Sequence, residues 1–236
     1  MGLTDVAEVL PLHLADVDFP AGHPQAGESG PILGFAVVHD AGVLLFDTGV
    51  GTGNAEVEEY FRPRVTPLGE ALGAHGLSVD DVTAVANSHL HFDHCGQNTL
   101  LPGRTVYVQA PELAAAREPD YTVPEWIGLG VVELVELDGG ATEVAPGLTI
   151  VPTPGHTAGH QSLLVRTEAG PVLLAGQAVY TAAEWNGSTD PRRSGLPSAL
   201  DPRAYAASVR RLRALDPVRV HFAHDLEAWN LPTPDR

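Results

Sequence analysis

Asn87-Ser88-His89-Leu90-His91-Phe92-Asp93-His94-Cys95-Gly96 is the stretch that decides how this chain is read. It carries the pattern His-x-His-x-Asp-His, four candidate metal ligands within six residues. A plain surface loop is the weaker explanation, because such density has no packing use. Val82 to Asn87 is a short apolar run that reads as a strand delivering the chain into His89. At an extended strand end, His89 and His91 point to the same side, so both can reach one ion. Asp93 and His94 lie just beyond, where a turn redirects them to a second ion about 3.5–4 Å away. Imidazole with carboxylate suits zinc, with iron, manganese or cobalt as substitutes.

Two later groups extend the pattern. Pro154-Gly155-His156-Thr157-Ala158-Gly159-His160 follows a predicted strand, Leu148 to Pro152. The glycine beside His156 lets the backbone pass close to an ion, and His156 is the expected third nitrogen ligand of the first metal. His160 either orients a ligand by a hydrogen bond or is a satisfied core histidine. Val218 to Phe222 reads as the final strand, delivering His224 as a ligand, with His221 facing the surface or the sheet. Cys95 has no companion base of a thiol enzyme and reads as a small buried residue.

Around these groups the chain reads as strands with outer helices. Ile32 to His39 and Val43 to Phe46 flank Asp40-Ala41-Gly42 as a hairpin, and Gln161 to Arg166 and Pro171 to Ala175 flank a second turn. Leu68 to His75, Pro111 to Arg117 and a segment opened by Asp201-Pro202 read as helices, the last with Tyr205, Val209 and Leu212 on one face. Thr105 to Gln109 is a further strand. The hairpins predict two largely antiparallel sheets covered by helices, an α/β (α+β) chain in which residues 1–236 form one domain. The irregular stretches Pro20 to Pro31 and Glu184 to Pro197 are candidates for a pocket rim. Trp126, Trp185 and Trp229 are candidates to line it, Trp185 first. Arg210, Arg211 and Arg213 read as a solvated cluster.

Composition narrows the function. Thirty acidic against 13 basic residues give a formal charge of -17, which repels phosphate backbones and disfavours nucleic-acid partners. All the basic residues are arginine, so Schiff-base chemistry and a phosphate-binding P-loop lysine are excluded. One cysteine excludes an internal disulfide. The opening MGLTDVAEVL has no basic residue before its apolar stretch, unlike a signal peptide. No run approaches about 18 apolar residues, so no membrane span is expected and the cytoplasm is the expected location.

His-x-His-x-Asp-His, Pro-Gly-His-Thr-x-Gly-His and the late His224-Asp225 together resemble the metallo-β-lactamase superfamily. The resemblance runs in order from about Phe46 to His224. It implies a four-layer αβ/βα sandwich with a dinuclear metal site between the sheets. Phe46-Asp47-Thr48-Gly49 resembles the family's first motif, whose aspartate supports the site from behind the ligands. Within the superfamily the sequence is most similar to the quorum-quenching N-acyl homoserine lactonases. Leu173-Leu174-Ala175-Gly176-Gln177-Ala178-Val179-Tyr180-Thr181 is the most informative stretch. Tyr180 occupies the position of a tyrosine that in these lactonases sits by the metals and assists ring opening.

One departure stands out. Gln177 occupies the place of the aspartate that bridges the two metals in the family. A neutral glutamine leaves a two-ion site one positive charge richer, so the second metal is expected to bind more weakly or not at all. His89, His91 and His156 still make a complete three-nitrogen zinc site with an open position. The expected chemistry is hydrolysis of a lactone by a metal-bound hydroxide, with Asp93 handling its proton and Tyr180 supporting the oxyanion or leaving alkoxide. A small-molecule ester or lactone is the expected partner. Two alternatives stay open: a thioesterase or esterase of the glyoxalase II or polyketide-releasing kind, and a non-catalytic small-ligand binding protein.

Overall fold

A computed structural model describes residues 7–232. The reading of the opening decapeptide against a signal peptide rests largely on residues 1–6, which lie outside the described residues. Seven strands form the first sheet: β1 (Glu8–Asp18), β2 (Ser29–His39), β3 (Gly42–Phe46), β4 (Arg64–Val65), β5 (Val82–Ala86), β6 (Thr105–Gln109) and β7 (Glu133–Leu137). Their order is β4-β1-β2-β3-β5-β6-β7. Six strands form the second: β8 (Thr142–Ala145), β9 (Leu148–Pro152), β10 (Gln161–Thr167), β11 (Gly170–Leu174), β12 (Arg219–Phe222) and β13 (Asp225–Asn230), in the order β13-β12-β11-β10-β9-β8. Among the described residues six α-helices accompany them: α1 (Ala55–Phe61), α2 (Leu68–Gly73), α3 (Phe92–Cys95), α4 (Ala110–Ala115), α5 (Ala182–Trp185) and α6 (Pro202–Arg213).

Period-2 alternation explains the layering. Along β3, Leu44 and Phe46 face a core shared with Leu148, Ile150, Leu163 and Leu174 of the second sheet. Val43 and Leu45 face the other way, onto Leu68 and Leu72 of α2 and Leu113 of α4. Across the molecule, Leu173 and Val220 turn outward onto Trp185 of α5 and Leu212 of α6. Each sheet is therefore buried on both faces in its centre, giving helix, sheet, sheet and helix. A fully buried Leu or Phe in such a core contributes about 1.5–3 kcal/mol.

Two features of the sequence reading are corrected. The sheets are less antiparallel than the hairpins suggest: β3, β5, β6 and β7 run parallel, as do β11 and β12. Hairpin turns are local signals, whereas parallel pairing is made by crossovers through helices that no local motif announces. The strand delivering His224 is also not the last. The chain turns back through β13, which pairs antiparallel with β12.

Strand direction gathers the chemistry at one end. Asp47, Ser88, Thr153, Ala175 and Ala223 each follow the C-terminal end of β3, β5, β9, β11 or β12. Bonds between the two sheets close this end: Ser88 O accepts from Gln161 N (2.8 Å), and Ala223 O from Leu33 N (2.8 Å). The Gln161 side chain adds donors to Asn87 O (2.8 Å) and Tyr107 O (2.9 Å). Helix α6 is docked behind the same end, with Asp201 N donating to Gly155 O (3.0 Å). Asp201 also caps α6, its carboxylate accepting from the Arg203 and Ala204 amides. Replacing Asp201 with alanine is expected to cost about 1 kcal/mol and to lower the thermal midpoint by a few degrees. An unchanged melting curve would show that the cap contributes nothing.

Candidate metal centre

The site begins with Asp47, which sits at φ 65° and is almost fully buried. One carboxylate oxygen accepts from Ser88 N (2.6 Å) and the other from His94 Nδ1 (2.9 Å). The first bond fixes the exit of β5. The second works because α3, a single turn, folds His94 back toward the strand end. Asn87 reinforces the turn by donating to His94 O (2.9 Å).

Three ring nitrogens converge beside this turn. His89 Nε2 lies 3.0 Å from His91 Nδ1, and His156 Nε2 lies 3.2 Å from the same atom. Tetrahedral ligands at zinc–nitrogen distances of about 2.0–2.1 Å stand about 3.3 Å apart, so the spacing fits a shared ion. A second group comprises Asp93, His94 and His224, whose ligand atoms also lie within 4.8 Å of one another. His94 Nε2 is 3.4 Å and His224 Nε2 3.8 Å from Asp93 Oδ2.

The tautomers suit metal binding. His94 gives its Nδ1 proton to Asp47, and His224 gives its own to Pro31 O (3.3 Å). A ring held in this way, once neutral, presents Nε2 as a lone pair, and both Nε2 atoms are buried with no hydrogen-bond partner among the described residues. Unpaired buried acceptors cost about 1–3 kcal/mol each, which an ion between them would offset. The residues present therefore fit one ion at His89, His91 and His156 and another at Asp93, His94 and His224.

Electrostatics agree with neutral imidazoles in the first group. Burial, and then repulsion from neighbouring histidines, hold His89 and His156 well below the ordinary imidazole value. Burial lowers His91 too, against the pull of Asp93 and Glu112. In the metal-free second group, burial opposes charge on His94, but Asp93 and Asp47 outweigh it and push its pKa up to about 10. Burial alone would raise Asp93, yet His94 and His224 hold it below the usual carboxylate range.

His160 belongs to neither group. Its Nδ1 bonds Thr153 Oγ1 (2.8 Å) and its Nε2 accepts from Gln177 N (3.0 Å), so it holds the backbone after β11 with both nitrogens spent. Gln177 is buried, and its side-chain oxygen has no hydrogen-bond partner among the described residues. Tyr180 stacks on His224, with centroids 4.8 Å apart, and burial followed by the nearby Asp93 charge raises its phenol above the usual value. Cys95 is buried against Leu90 O and His91 O, and burial pushes its thiol up to about 12, so it supplies no thiolate. His221 faces Phe35 between the sheets.

A cavity of about 1520 Å³ adjoins the site, walled by Phe19, Tyr60, Phe61, Phe92 and Tyr121. None of the three tryptophans lines it. Trp126 is packed in a core with Val50 and Val123, and Trp185 and Trp229 pack together beneath α6. The 20–31 segment does reach the cavity, through Pro20, Ala21, Gly27 and Ser29, although its end is already strand β2. The 184–197 segment does not. The arginines of the last helix are exposed, and two of them also make contacts: Arg211 donates to Pro152 O (2.9 Å), and Arg213 lies over the Trp185 ring. Gly155, at φ 144°, serves packing: a Cβ there would fall 2.3 Å from Tyr205 Cα.

Two residues that the sequence reading passed over complete the surroundings. Tyr121 packs against His91 at 4.8 Å, and the buried carboxylate of Glu112 bonds Leu90, Tyr121 and Thr157. Neither lies in a stretch whose pattern marks it.

The chain belongs to the metallo-β-lactamase superfamily, whose family model matches residues 30–224. It is similar to an N-acyl homoserine lactonase of Bacillus sp., 32% identical over 84% of this chain and 82% of that protein. Among solved structures it resembles a variant of Bacillus thuringiensis AiiA with N-decanoyl-L-homoserine bound at the active site (TM-score 0.75, 27% identity, 96% and 95% of the two chains). An N-acyl homoserine lactone hydrolase with N-hexanoyl-L-homoserine bound at its catalytic metal centre matches equally well, with the same score, identity and coverage.

The histidines make a pH prediction for metal-free protein. Burial pushes His160 down to about 3 and His224 to about 4, and burial with Arg219 pushes His221 to about 4. Below about pH 6.5 the unfolded chain therefore binds more protons than the folded one. Each of these groups should remove about 1.4 kcal/mol of stability per pH unit between that point and its own folded value. His94 acts the other way: its contribution is complete below about pH 6.5 and is lost as pH rises through about 10. The urea midpoint of chelator-treated protein should fall steeply from pH 7 to pH 5. A flat profile would contradict the buried neutral state.

Proposed function

We propose that this chain is a metal-dependent hydrolase that opens lactones of the N-acyl homoserine type. The observation that carries the reading is the pair of ligand groups, His89, His91 and His156 beside Asp93, His94 and His224, next to an aromatic-walled cavity whose Tyr121 packs on His91. The similarity to lactonases over most of the chain supports it. We take residues 1–236 to act as one domain, since both sheets contribute to one site.

Zinc is the proposed ion at both groups. When bound, such an ion polarises a carbonyl and makes water acidic near neutral pH. Asp93, kept as a carboxylate, orients the attacking water and accepts its proton. Tyr180, kept as a phenol, donates to the carbonyl oxygen as it gains charge, or to the departing ring oxygen. Asp47 and Pro31 hold the rings of His94 and His224. Phe61, Phe92 and Tyr121 offer an apolar wall to the acyl chain. The same cavity carries Asp18, Glu56, Glu59, Glu118 and Asp120 against Arg62 and Arg117, which favours a neutral acyl group over an anionic one. Anionic thioester conjugates are thereby disfavoured as substrates.

Gln177 bears on stoichiometry. Its side chain brings an oxygen but no charge, so we expect one tightly held zinc per chain and a second that is lost on dialysis. Gln177→Asp should raise retention to two, measured by metal analysis; equal retention in both proteins would contradict the assignment. For activity, zinc-loaded protein should hydrolyse N-acyl homoserine lactones. Tyr180→Phe should lower kcat about a hundredfold, and His156→Ala should abolish turnover. Fully loaded protein inert toward every lactone tested would leave the second reading that Gln177 favours, a non-catalytic ligand-binding protein.

A further inference from the structure

Glu112 is fully buried on α4, and its carboxylate meets no arginine among the described residues. Burying such a group costs several kcal/mol unless its oxygens are satisfied and its charge is compensated. The oxygens are satisfied in an informative way. Oε1 accepts from Leu90 N (2.8 Å) and in a short bond from the Tyr121 hydroxyl, and Oε2 accepts from Thr157 Oγ1 (2.6 Å). Leu90 lies between His89 and His91, Thr157 follows His156, and the Tyr121 ring packs on His91. One carboxylate therefore holds both chain segments that carry the three-histidine group. The second segment is pressed directly against it: a Cβ at Gly159 would lie 2.3 Å from Glu112 N and 2.6 Å from its Cα.

Charge is the other half of the observation. Three imidazoles bring no negative charge to a dication. The Glu112 carboxylate is bonded to the backbone of Leu90, the residue between His89 and His91, so its negative charge lies beside that group. Inside a core of low dielectric, a carboxylate can act on an ion it does not touch.

We propose that Glu112 is a positioning residue for the ion site of His89, His91 and His156, clamping its two ligand loops and supplying it with negative charge. The inference rests on the metal-centre reading above. Glu112 touches neither substrate nor ion; it acts through Leu90, Thr157 and Tyr121.

The test uses cobalt(II) as the probe, titrated into metal-free full-length protein and followed by its visible absorption. It is run where wild type and variant are both fully folded without metal. Glu112→Gln keeps the shape and one acceptor oxygen, and the hydroxyls of Tyr121 and Thr157 can turn to accept from the amide. Its cobalt affinity at the tight site should fall on the order of ten- to a hundredfold, with a changed absorption intensity. Wild-type affinity and spectrum in the variant would overturn the proposal. Should Glu112→Gln fail to fold, Tyr121→Phe combined with Thr157→Val removes two donors and leaves the carboxylate in place. That double variant should also bind more weakly, and wild-type binding would overturn the proposal. A wild-type chain that takes up no cobalt would overturn the metal-centre reading with it, whereas normal uptake with an unaffected variant would overturn only the role of Glu112.

Discussion

The carboxylate of Asp47 is the fixed point of this molecule, because it joins the end of β3 to both the end of β5 and the ring of His94. Asp47 pays for this with a left-handed backbone, which costs a non-glycine residue about 1–2 kcal/mol. Without those two bonds a carboxylate 1% exposed would be far costlier. The bond to Ser88 sets where β5 releases the chain. The bond to His94 sets which nitrogen faces the second ligand group. Ligand geometry and strand geometry are thereby the same constraint.

Around this point the protein builds its active end from polar groups. Gln161, Gln109, Thr153 and His160 are buried and bonded to one another or to backbone across the two sheets. Apolar cores stabilise the sandwich, but they do not specify loop positions to within a few tenths of an ångström; directional bonds do. Glu184 plays this part for Tyr180. It accepts from Tyr180 N, Ser194 Oγ, Gly195 N and the Tyr205 hydroxyl, tying the tyrosine's segment to α6 and the loop before it.

The acidic character of the chain has a local consequence. Arginine is the only permanent cation available, and none pairs with Asp47, Asp93 or Glu112 among the described residues. The compensation for these carboxylates comes from imidazoles, hydroxyls and the Ser88 and Leu90 amides. Gln177, buried with a side-chain oxygen that has no partner among the described residues, adds no charge of its own to this end of the molecule.

Local sequence is enough to pick out the side chains that the structure brings together in two groups. His89, His91, Asp93 and His94 are within six residues, and the glycine-rich His156 segment and His224 each follow an apolar strand, so their roles depend on local geometry. The central strands and both hairpins were legible for the same reason: alternation and turn residues act over a few positions. Helix α1 and strand β13 were not legible, since AEVEEYF and DLEAWN carry weak periodicity and owe their form to what they pack on. Which strands run parallel, which aromatics wall the cavity, and that Glu112 lies beneath the histidine loops all depend on long-range packing. Glu112 lies in an ordinary helical sequence, and its meaning comes from Leu90, Tyr121 and Thr157, residues 9 to 45 positions away. Contacts at that range are made by the packing of sheets and crossovers, and no local pattern in the chain encodes them.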